Sequence, residues 1–130
     1  MQEVYDFLKN AKVFYLATSE DGQPRVRPFG AIGRFEDRLY IITGKSKKVS
    51  IQIHDNPKVE ICTCNEGKYI RIEAEAVEDD RAVARQHMLE AYPGLKSQYA
   101  VDDGNMQVLY LKNAVAAISS FDGSKTVIRF

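Results

Sequence analysis

The stretch TGKSKK at Thr43–Lys48 decides how the rest of this chain is interpreted. It follows the apolar run Leu39–Ile42, which is typical of a buried strand. Phosphate binding is favoured by this combination of a glycine, hydroxyl groups and lysines after a strand. Ser46 can cap a helix whose first N–H groups face the anion, and Lys47 and Lys48 supply positive charge. The spacing differs from a Walker A motif, which argues against a nucleoside triphosphate. From the residues alone, a solvated basic turn remains the alternative.

The segment that follows, Ser46–Asp55, fits two kinds of structure. Val49, Ile51 and Ile53 alternate as they would along a strand, but Val49 and Ile53 also share one face of a helix. The serine at the start and the stop at Asn56-Pro57 favour the helix.

A helix and a hairpin are predicted before this stretch. Gln2–Ala11 has the spacing of a short amphipathic helix, and Val13–Thr18 and Arg25–Ile32 have the composition of strands. The turn residues at 20–24 join the two strands into a hairpin. Pro28 cannot donate to a strand ladder, so we expect a sheet edge or a bulge there.

The rest of the chain is dominated by strands. Asp80–Tyr92 predicts the clearest helix, with Asp80 as its cap and with Ala84, Met88 and Ala91 on its buried face. Leu95–Gln107 reads as a mostly polar connection. The further predicted strands are Arg38–Thr43, Val59–Cys64, Tyr69–Val77, Val108–Lys112, Ala114–Ser119 and Lys125–Phe130. About eight strands, mostly linked as hairpins, and about three helices predict an α+β fold, an antiparallel barrel with helices packed outside.

Composition excludes several classes of function. At 130 residues the chain predicts one domain, 1–130, with its own core. Its eighteen basic and eighteen acidic side chains cancel, which argues against recruitment by nucleic acid or by an anionic membrane. No apolar window of about 18 residues is present, and Met1–Tyr5 lacks the features of a signal peptide. We therefore expect a cytoplasmic protein with no membrane span.

The cysteines and histidines predict neither a metal site nor a catalytic group. Cys62 and Cys64 share one face of a predicted strand, and neither His54 nor His87 stands at a usual zinc-ligand spacing from them. We expect the cysteines to be small buried residues, and the histidines to lie at the surface or half-buried on predicted helices. No serine–histidine–acid grouping appears, so the catalytic residues are unknown.

Three segments in order, with a looser fourth, carry a resemblance to a known family. The segments are Ala17–Pro28, with its DGQPRVRP motif, Tyr40–Lys48 and Ile53–Val59, followed by Arg71–Ala76. Together they resemble the pyridoxamine 5′-phosphate oxidase-like family, whose fold is the FMN-binding split barrel. No single segment is specific to that family; their order and spacing carry the resemblance.

The resemblance implies a cofactor site at a homodimer interface. It places four residues on the FMN phosphate, namely Arg27, Ser46, Lys47 and Lys48. It places Thr43 near the ring or ribityl chain, and Pro28, Phe29 and Gly30 along the ring, where the backbone can match the donors and acceptors of the pyrimidine edge. Tyr69 matches a position that approaches the flavin of the other subunit. Gly30 as a packing glycine and Tyr69 as an outward-facing strand residue remain alternatives.

The chain departs from the oxidases where the vitamin substrate binds. Those enzymes are longer and end in a segment with arginine and tryptophan, whereas this chain has no tryptophan and ends at Thr126–Phe130. Ile32 stands where they carry a lysine. We therefore predict an FMN-dependent oxidoreductase for another small molecule, because flavin supplies the electron chemistry. The alternatives are a flavin storage or sensing protein without turnover, or a split barrel that holds deazaflavin or haem. A homodimer follows from the resemblance, since a short barrel does not easily bury a tricyclic ring alone.

Overall fold

The computed structural model describes all 130 residues as three α-helices, one 3₁₀ helix and eight strands. The helices are α1 (Gln2–Ala11), α2 (Lys48–Asp55) and α3 (Ala82–Ala91), and the 3₁₀ helix is Pro93–Ser97. The strands are β1 (Phe14–Glu20), β2 (Gln23–Phe29), β3 (Gly33–Phe35), β4 (Arg38–Gly44), β5 (Lys58–Asn65), β6 (Lys68–Glu78), β7 (Met106–Ser120) and β8 (Lys125–Arg129). None of the helices combines the length and the apolar character needed to cross a membrane.

All neighbouring strands run antiparallel, in the order β2-β1-β5-β6-β7-β4-β3, with β8 added to β7. The long strand β7 divides the sheet, because its first part, Met106–Tyr110, pairs with β4 and its later part, Val115–Ser119, pairs with β8. Strand β6 runs along both parts. The fold is therefore the predicted α+β antiparallel split barrel with three flanking helices.

The predicted strands at 108–112 and 114–119 are one strand, β7, which continues through a bulge. Its pairing with β6 passes from Glu73 opposite Val115 to Glu75 opposite Lys112, so two residues of β7 face one residue of β6. Asn113 adopts a φ of 52°, a conformation that asparagine tolerates better than most residues. Asn113 lies between the two predicted strands, but in the structure it only bends a single strand. The short strand β3 was not predicted.

Strand β2 ends earlier than predicted. It pairs only with β1 and stops at Phe29, so the prediction of a sheet edge at Pro28 is confirmed and the predicted extension to Ile32 is wrong. Gly30–Ile32 leaves the sheet before β3 begins.

Two cores lie on opposite faces of β4. Leu39 and Ile41 face the interior of the barrel, which α1 and α2 close with residues such as Leu8 and Ile53. Tyr40 and Ile42 face the other way, into a second core formed with α3 and the 3₁₀ region. Burial on both faces explains why Leu39–Ile42 is continuously apolar.

The predicted burial of the cysteines is wrong. Cys62 and Cys64 share one face of β5 as expected, but that face is exposed. Ile61 and Thr63 take the buried face, and Cys62 lies opposite Tyr15, which is itself 49% exposed.

Two predicted helix caps are also wrong. Helix α2 begins at Lys48 with Lys47 as its N-cap, and α3 begins at Ala82 with Arg81 as its N-cap, so neither Ser46 nor Asp80 caps a helix. Ala84 and Met88 are buried as predicted, whereas Ala91 is exposed.

A polar network around the buried Asp79 anchors the start of α3 to β4. The Tyr40 hydroxyl donates to Asp79 (2.7 Å), and the Arg81 guanidinium donates to both Asp79 carboxylate oxygens (2.8 Å each) and to Glu36 (2.6 Å). The Arg81 guanidinium, assisted by the Tyr40 hydroxyl, holds the pKa of Asp79 well below its usual range although burial opposes this. Asp79 is therefore a buried carboxylate that stays ionised.

Candidate functional site

The β1–β2 hairpin directs arginine side chains towards α2. Arg25 pairs with Thr18 and Arg27 pairs with Leu16, and side chains at directly opposed positions lie on the same face of a sheet. Thr18 and Leu16 are buried, and α2 packs against β1 on this side. The register of the hairpin thus brings cationic residues of β2 next to the lysines at the start of α2.

Arg27 is held by three hydrogen bonds. Its Nη1 donates to the Leu16 carbonyl (3.2 Å) and to Thr18 Oγ1 (2.8 Å), and its Nη2 donates to Gln52 Oε1 (2.6 Å). Burial lowers the pKa of Arg27, with a contribution from the neighbouring charge of Arg25, but a guanidinium remains protonated. The remaining N–H groups of Arg27 have no partner in the chain, so this oriented guanidinium can still donate hydrogen bonds to a ligand.

A second layer of residues supports Arg27, and the sequence prediction missed it. Gln52 is 3% exposed, and its Nε2 donates to Glu20 (3.1 Å), which also accepts from Arg25 (3.1 Å). The Gln52 amide and then Arg25 lower the pKa of Glu20, which keeps this carboxylate ionised. The sequence did contain a signal for this role, because Gln52 is a polar residue on the buried face of an amphipathic helix, beside Ile53.

The three lysines of the TGKSKK stretch point to different places. Lys45 Nζ lies 3.5 Å from Glu78, away from Arg27. Lys47 and Lys48 both line a concave surface with Arg27, and Lys47 Nζ also lies 6.0 Å from the centre of the Tyr99 ring. The structure therefore brings two of the three lysines to the arginine.

The turn before α2 is fixed by Asn105, which lies far away in the sequence. Its carbonyl accepts from the Lys45 N–H (2.7 Å), and its side-chain Oδ1 accepts from the Ser46 N–H (3.0 Å). Ser46 is exposed and lines neither of the clefts described next, so its predicted phosphate contact stays a prediction. At the start of α2, the N–H groups of Lys48 and Val49 have no backbone partner, as is usual for a helix N-terminus.

Two adjoining clefts meet at Arg27, Lys47 and Val49. The cationic cleft, about 390 Å³, is lined by Glu20, Arg25, Val26, Arg27, Lys47, Lys48, Val49 and Gln52. The aromatic cleft, about 300 Å³, is lined by Arg27, Pro28, Phe29, Gly30, Ala31, Ile42, Thr43, Lys47, Val49, Tyr92, Leu95, Gln98 and Tyr99. The predicted residues therefore lie in one continuous depression, apart from Ser46 and Tyr69.

The backbone of Gly30 and Ala31 is unpaired where it lines the aromatic cleft. Neither residue makes a backbone hydrogen bond through its N–H or its carbonyl within the chain. Ala31 is only 6% exposed, and backbone groups of buried residues are nearly always paired. These groups are available to a ligand with matching donors and acceptors.

Tyr69 lies elsewhere, on the outer face of β6. Its ring packs against Phe121 (centroids 5.2 Å apart), and it lines a separate cleft of about 340 Å³ with Arg71 and Val127. Within one chain, Tyr69 does not meet the two clefts.

The histidines and cysteines do not form a reactive centre. His54 is exposed, and the ring of His87 stacks on Phe35 with centroids 4.7 Å apart. No group of three histidine, cysteine or carboxylate side chains is placed to hold a metal ion.

Comparison with known proteins identifies the family. The family model described as pyridoxamine 5′-phosphate oxidase matches residues 1–118. The crystal structure of a NimC/NimA family protein from Clostridium acetobutylicum is 45% identical, with a TM-score of 0.94, covering 98% of this chain and 93% of that one. No curated protein matches.

Two more distant structures share the fold. A haem-binding protein from Mycobacterium smegmatis is 16% identical (TM-score 0.72; 98% of this chain, 56% of that one). A FAD-binding protein from Mesorhizobium loti is 19% identical (TM-score 0.66; 92% and 94%). The match over residues 1–118, together with the 45% identical relative, shows that the chain belongs to the pyridoxamine 5′-phosphate oxidase family.

Proposed function

We propose that this protein binds FMN and acts as an FMN-dependent oxidoreductase on a small molecule. The observation that carries the proposal is the continuous depression with a cationic end and an aromatic end. FMN has the same division, since a phosphate dianion lies at one end and an apolar tricyclic ring with a polar pyrimidine edge at the other. FMN supplies the hydride or electron transfer when bound, and the chain's own residues bind and orient it.

At the cationic end, Arg27, Lys47 and Lys48 are the phosphate ligands of this proposal. Arg27 suits the role because three hydrogen bonds fix its guanidinium while donors remain free. The unpaired N–H groups at the start of α2 add donors and a favourable dipole. The proposal assigns no contact to Ser46, because its backbone is engaged with Asn105 outside both clefts.

At the aromatic end, the proposal places the flavin ring against Pro28, Phe29 and Thr43. The free N–H and carbonyl groups of Gly30 and Ala31 would match the pyrimidine edge, which has alternating acceptors and donors. The same cleft offers haem iron no histidine, cysteine or methionine, so tyrosine is the one usual axial ligand among its lining residues. The cationic cleft suits the dianionic terminal phosphate of FMN, which FAD lacks because its two phosphates form a bridge, and this favours FMN over FAD.

The proposed assembly is a homodimer with the cofactor at its interface. The outer face of the sheet exposes large apolar side chains, among them Val26 (68%), Phe121 (71%), Tyr15 (49%) and Val127 (43%). A second copy of the chain covering this face would remove them from water. It would also give Tyr69, which lies on this outer face beside Phe121, a place near the partner's flavin.

A flavin-binding protein without turnover is the second candidate. No carboxylate or imidazole lines the aromatic cleft, so its proton donors are limited to tyrosine hydroxyls and the Lys47 ammonium group, which is assigned to the phosphate. Anaerobic addition of NADH or NADPH, followed by candidate acceptors, separates the two functions. Repeated bleaching and reoxidation of the flavin would exclude the candidate without turnover.

Titration of the apoprotein with FMN and with riboflavin tests the proposal. We expect Lys47→Ala with Lys48→Ala to weaken FMN binding at least about tenfold, because each charge-assisted contact is worth about 1.5–3 kcal/mol. Riboflavin, which has no phosphate, should bind both proteins equally. The matched control is Lys58→Ala with Lys112→Ala, two exposed lysines outside both clefts.

Two outcomes would contradict the proposal. A wild-type protein that takes up no flavin would reject the function itself. A folded Lys47/Lys48 double variant with unchanged FMN affinity would show that these lysines are only surface charges.

A further inference from the structure

The Tyr92 side chain contacts the backbone of Ile32, the residue that follows the Gly30–Ala31 segment of the aromatic cleft. Its hydroxyl donates to the Ile32 carbonyl (2.9 Å) and accepts from the Ile32 N–H (3.1 Å). One side chain thus satisfies both backbone groups of one residue, as a neighbouring strand would do. Tyr92 comes directly after α3, sixty residues away in the sequence.

This contact fixes the segment that lies between two strands. Phe29 is the last residue of β2 paired with β1, and Gly33 is the first residue of β3 paired with β4. Ile32 is 2% exposed, so its backbone groups would lack a partner without the tyrosine. With Phe29 and Ile32 both held, Gly30 and Ala31 span the gap with their own N–H and carbonyl groups unpaired.

The ring of Tyr92 belongs to the same cleft. It lines the aromatic cleft together with Leu95 and Tyr99, and Lys9 Nζ of α1 lies 5.2 Å from its centroid. The side chain is therefore held from two sides, by the Ile32 backbone at its hydroxyl and by α1 at its ring.

We infer that Tyr92 is the positioning residue of the flavin-ring end of the site: its hydroxyl holds Ile32 so that the backbone of Gly30 and Ala31 stays open to the pyrimidine edge. The inference rests on the proposed function. It assigns Tyr92 no part in electron or proton transfer, since both hydrogen-bonding roles of its hydroxyl are occupied by the backbone.

Binding of two ligands to Tyr92→Phe tests this inference. The variant keeps the ring but loses both hydrogen bonds, and we expect FMN and riboflavin to weaken by the same factor, about two- to tenfold. This pattern differs from that of the lysine double variant, which weakens FMN alone. The control is Tyr110→Phe, whose hydroxyl lies outside both clefts. Equal binding of both flavins by Tyr92→Phe and wild type would overturn the inference.

Amide hydrogen exchange of the wild-type apoprotein provides a readout that does not depend on the variant folding. The Ile32 N–H should exchange slowly before any flavin is added, whereas the N–H groups of Gly30 and Ala31 should exchange fast and become protected when FMN is added. In folded Tyr92→Phe, the Ile32 N–H should exchange at least about tenfold faster. Fast exchange at Ile32 in the wild-type apoprotein would overturn the inference, whereas a failure to bind any flavin would reject only the proposed function.

Discussion

Replacing Gln52 by leucine tests how Arg27 is held. Gln52 is 3% exposed and accepts from both Arg27 (2.6 Å) and Thr18, while its amide donates to Glu20 (3.1 Å). Leucine fills a similar volume but removes all three hydrogen bonds. Thr18 keeps Arg27 as a partner, so the main loss is the charge-assisted Arg27–Gln52 bond, worth about 1.5–3 kcal/mol.

We therefore expect the free energy of unfolding to fall by about 2 kcal/mol. With a urea m-value of about 2 kcal/mol/M for a chain of this size, the unfolding midpoint should move down by about 1 M urea. FMN binding should weaken about two- to tenfold, because Arg27 must then be ordered when the phosphate binds. Riboflavin binding should change little.

The control is Gln86→Leu, the same chemical change at an exposed position of α3 whose amide contacts only Glu90. It should shift stability by no more than about 0.5 kcal/mol. If Gln52→Leu and Gln86→Leu unfold at the same urea concentration, the hydrogen-bond network does not stabilise the fold. If Gln52→Leu loses stability but keeps its FMN affinity, Gln52 does not position Arg27 for the phosphate.

Three further predictions concern the fold around the clefts. The pKa of Asp79 is lowered in the folded protein, so the stability that this carboxylate contributes is present above the unfolded pKa of about 3.9 and is lost as the pH falls below it. Asp79→Asn should therefore be less stable than wild type at pH 7, and the difference between their urea midpoints should narrow towards pH 2. A difference that stays constant with pH would contradict this. Tyr40→Phe removes a buried bond to that carboxylate and should cost about 1.5–3 kcal/mol in urea unfolding, while an unchanged midpoint would show that the bond contributes nothing. In Gly44→Ala the new Cβ would lie 2.9 Å from the Asn105 amide nitrogen, and the Oδ1 of this side chain fixes the turn before α2, so we expect the free energy of unfolding to fall by about 1–3 kcal/mol and FMN binding to weaken. In the control Gly94→Ala the new Cβ meets no atom within 4 Å, and equal stability of the two variants would refute the reasoning.

Local patterns in the sequence predicted most of the elements. Helix α1 has the predicted bounds, and the apolar residues Ile70, Ile72 and Ala74, which alternate with polar ones along β6, are buried. Such patterns depend only on the period of the side chains, so they are visible without knowing the neighbours. The pairing of β4 with β7 joins residues more than sixty positions apart, and no local pattern specifies it.

The error at the cysteines shows the limit of periodicity. Alternation along β5 divides the side chains into two faces but does not say which face is buried. Glu60 shares the face of Cys62 and Cys64 and forms an ion pair with Arg71 at 2.7 Å. That charged residue was the available signal that the cysteine face is exposed.

The candidate site was predictable only where its residues lie in sequence motifs. Arg27, Lys47 and Lys48 lie in the segments that carry the family resemblance, and the structure brings them together. Asn105 and Tyr92 act from a region that read as a polar connection or a helix end. Their roles depend on contacts with Ser46 and Ile32, which are about sixty residues away, so no local signal could reveal them.

A crystal structure of the protein grown with FMN would test the proposed cofactor site. We predict phosphate oxygens within about 2.7–2.9 Å of the Arg27 guanidinium and of the Lys47 or Lys48 ammonium group, with the ring against Gly30 and Ala31. A phosphate bound outside the cationic cleft, with both ammonium groups directed into solvent, would contradict the account.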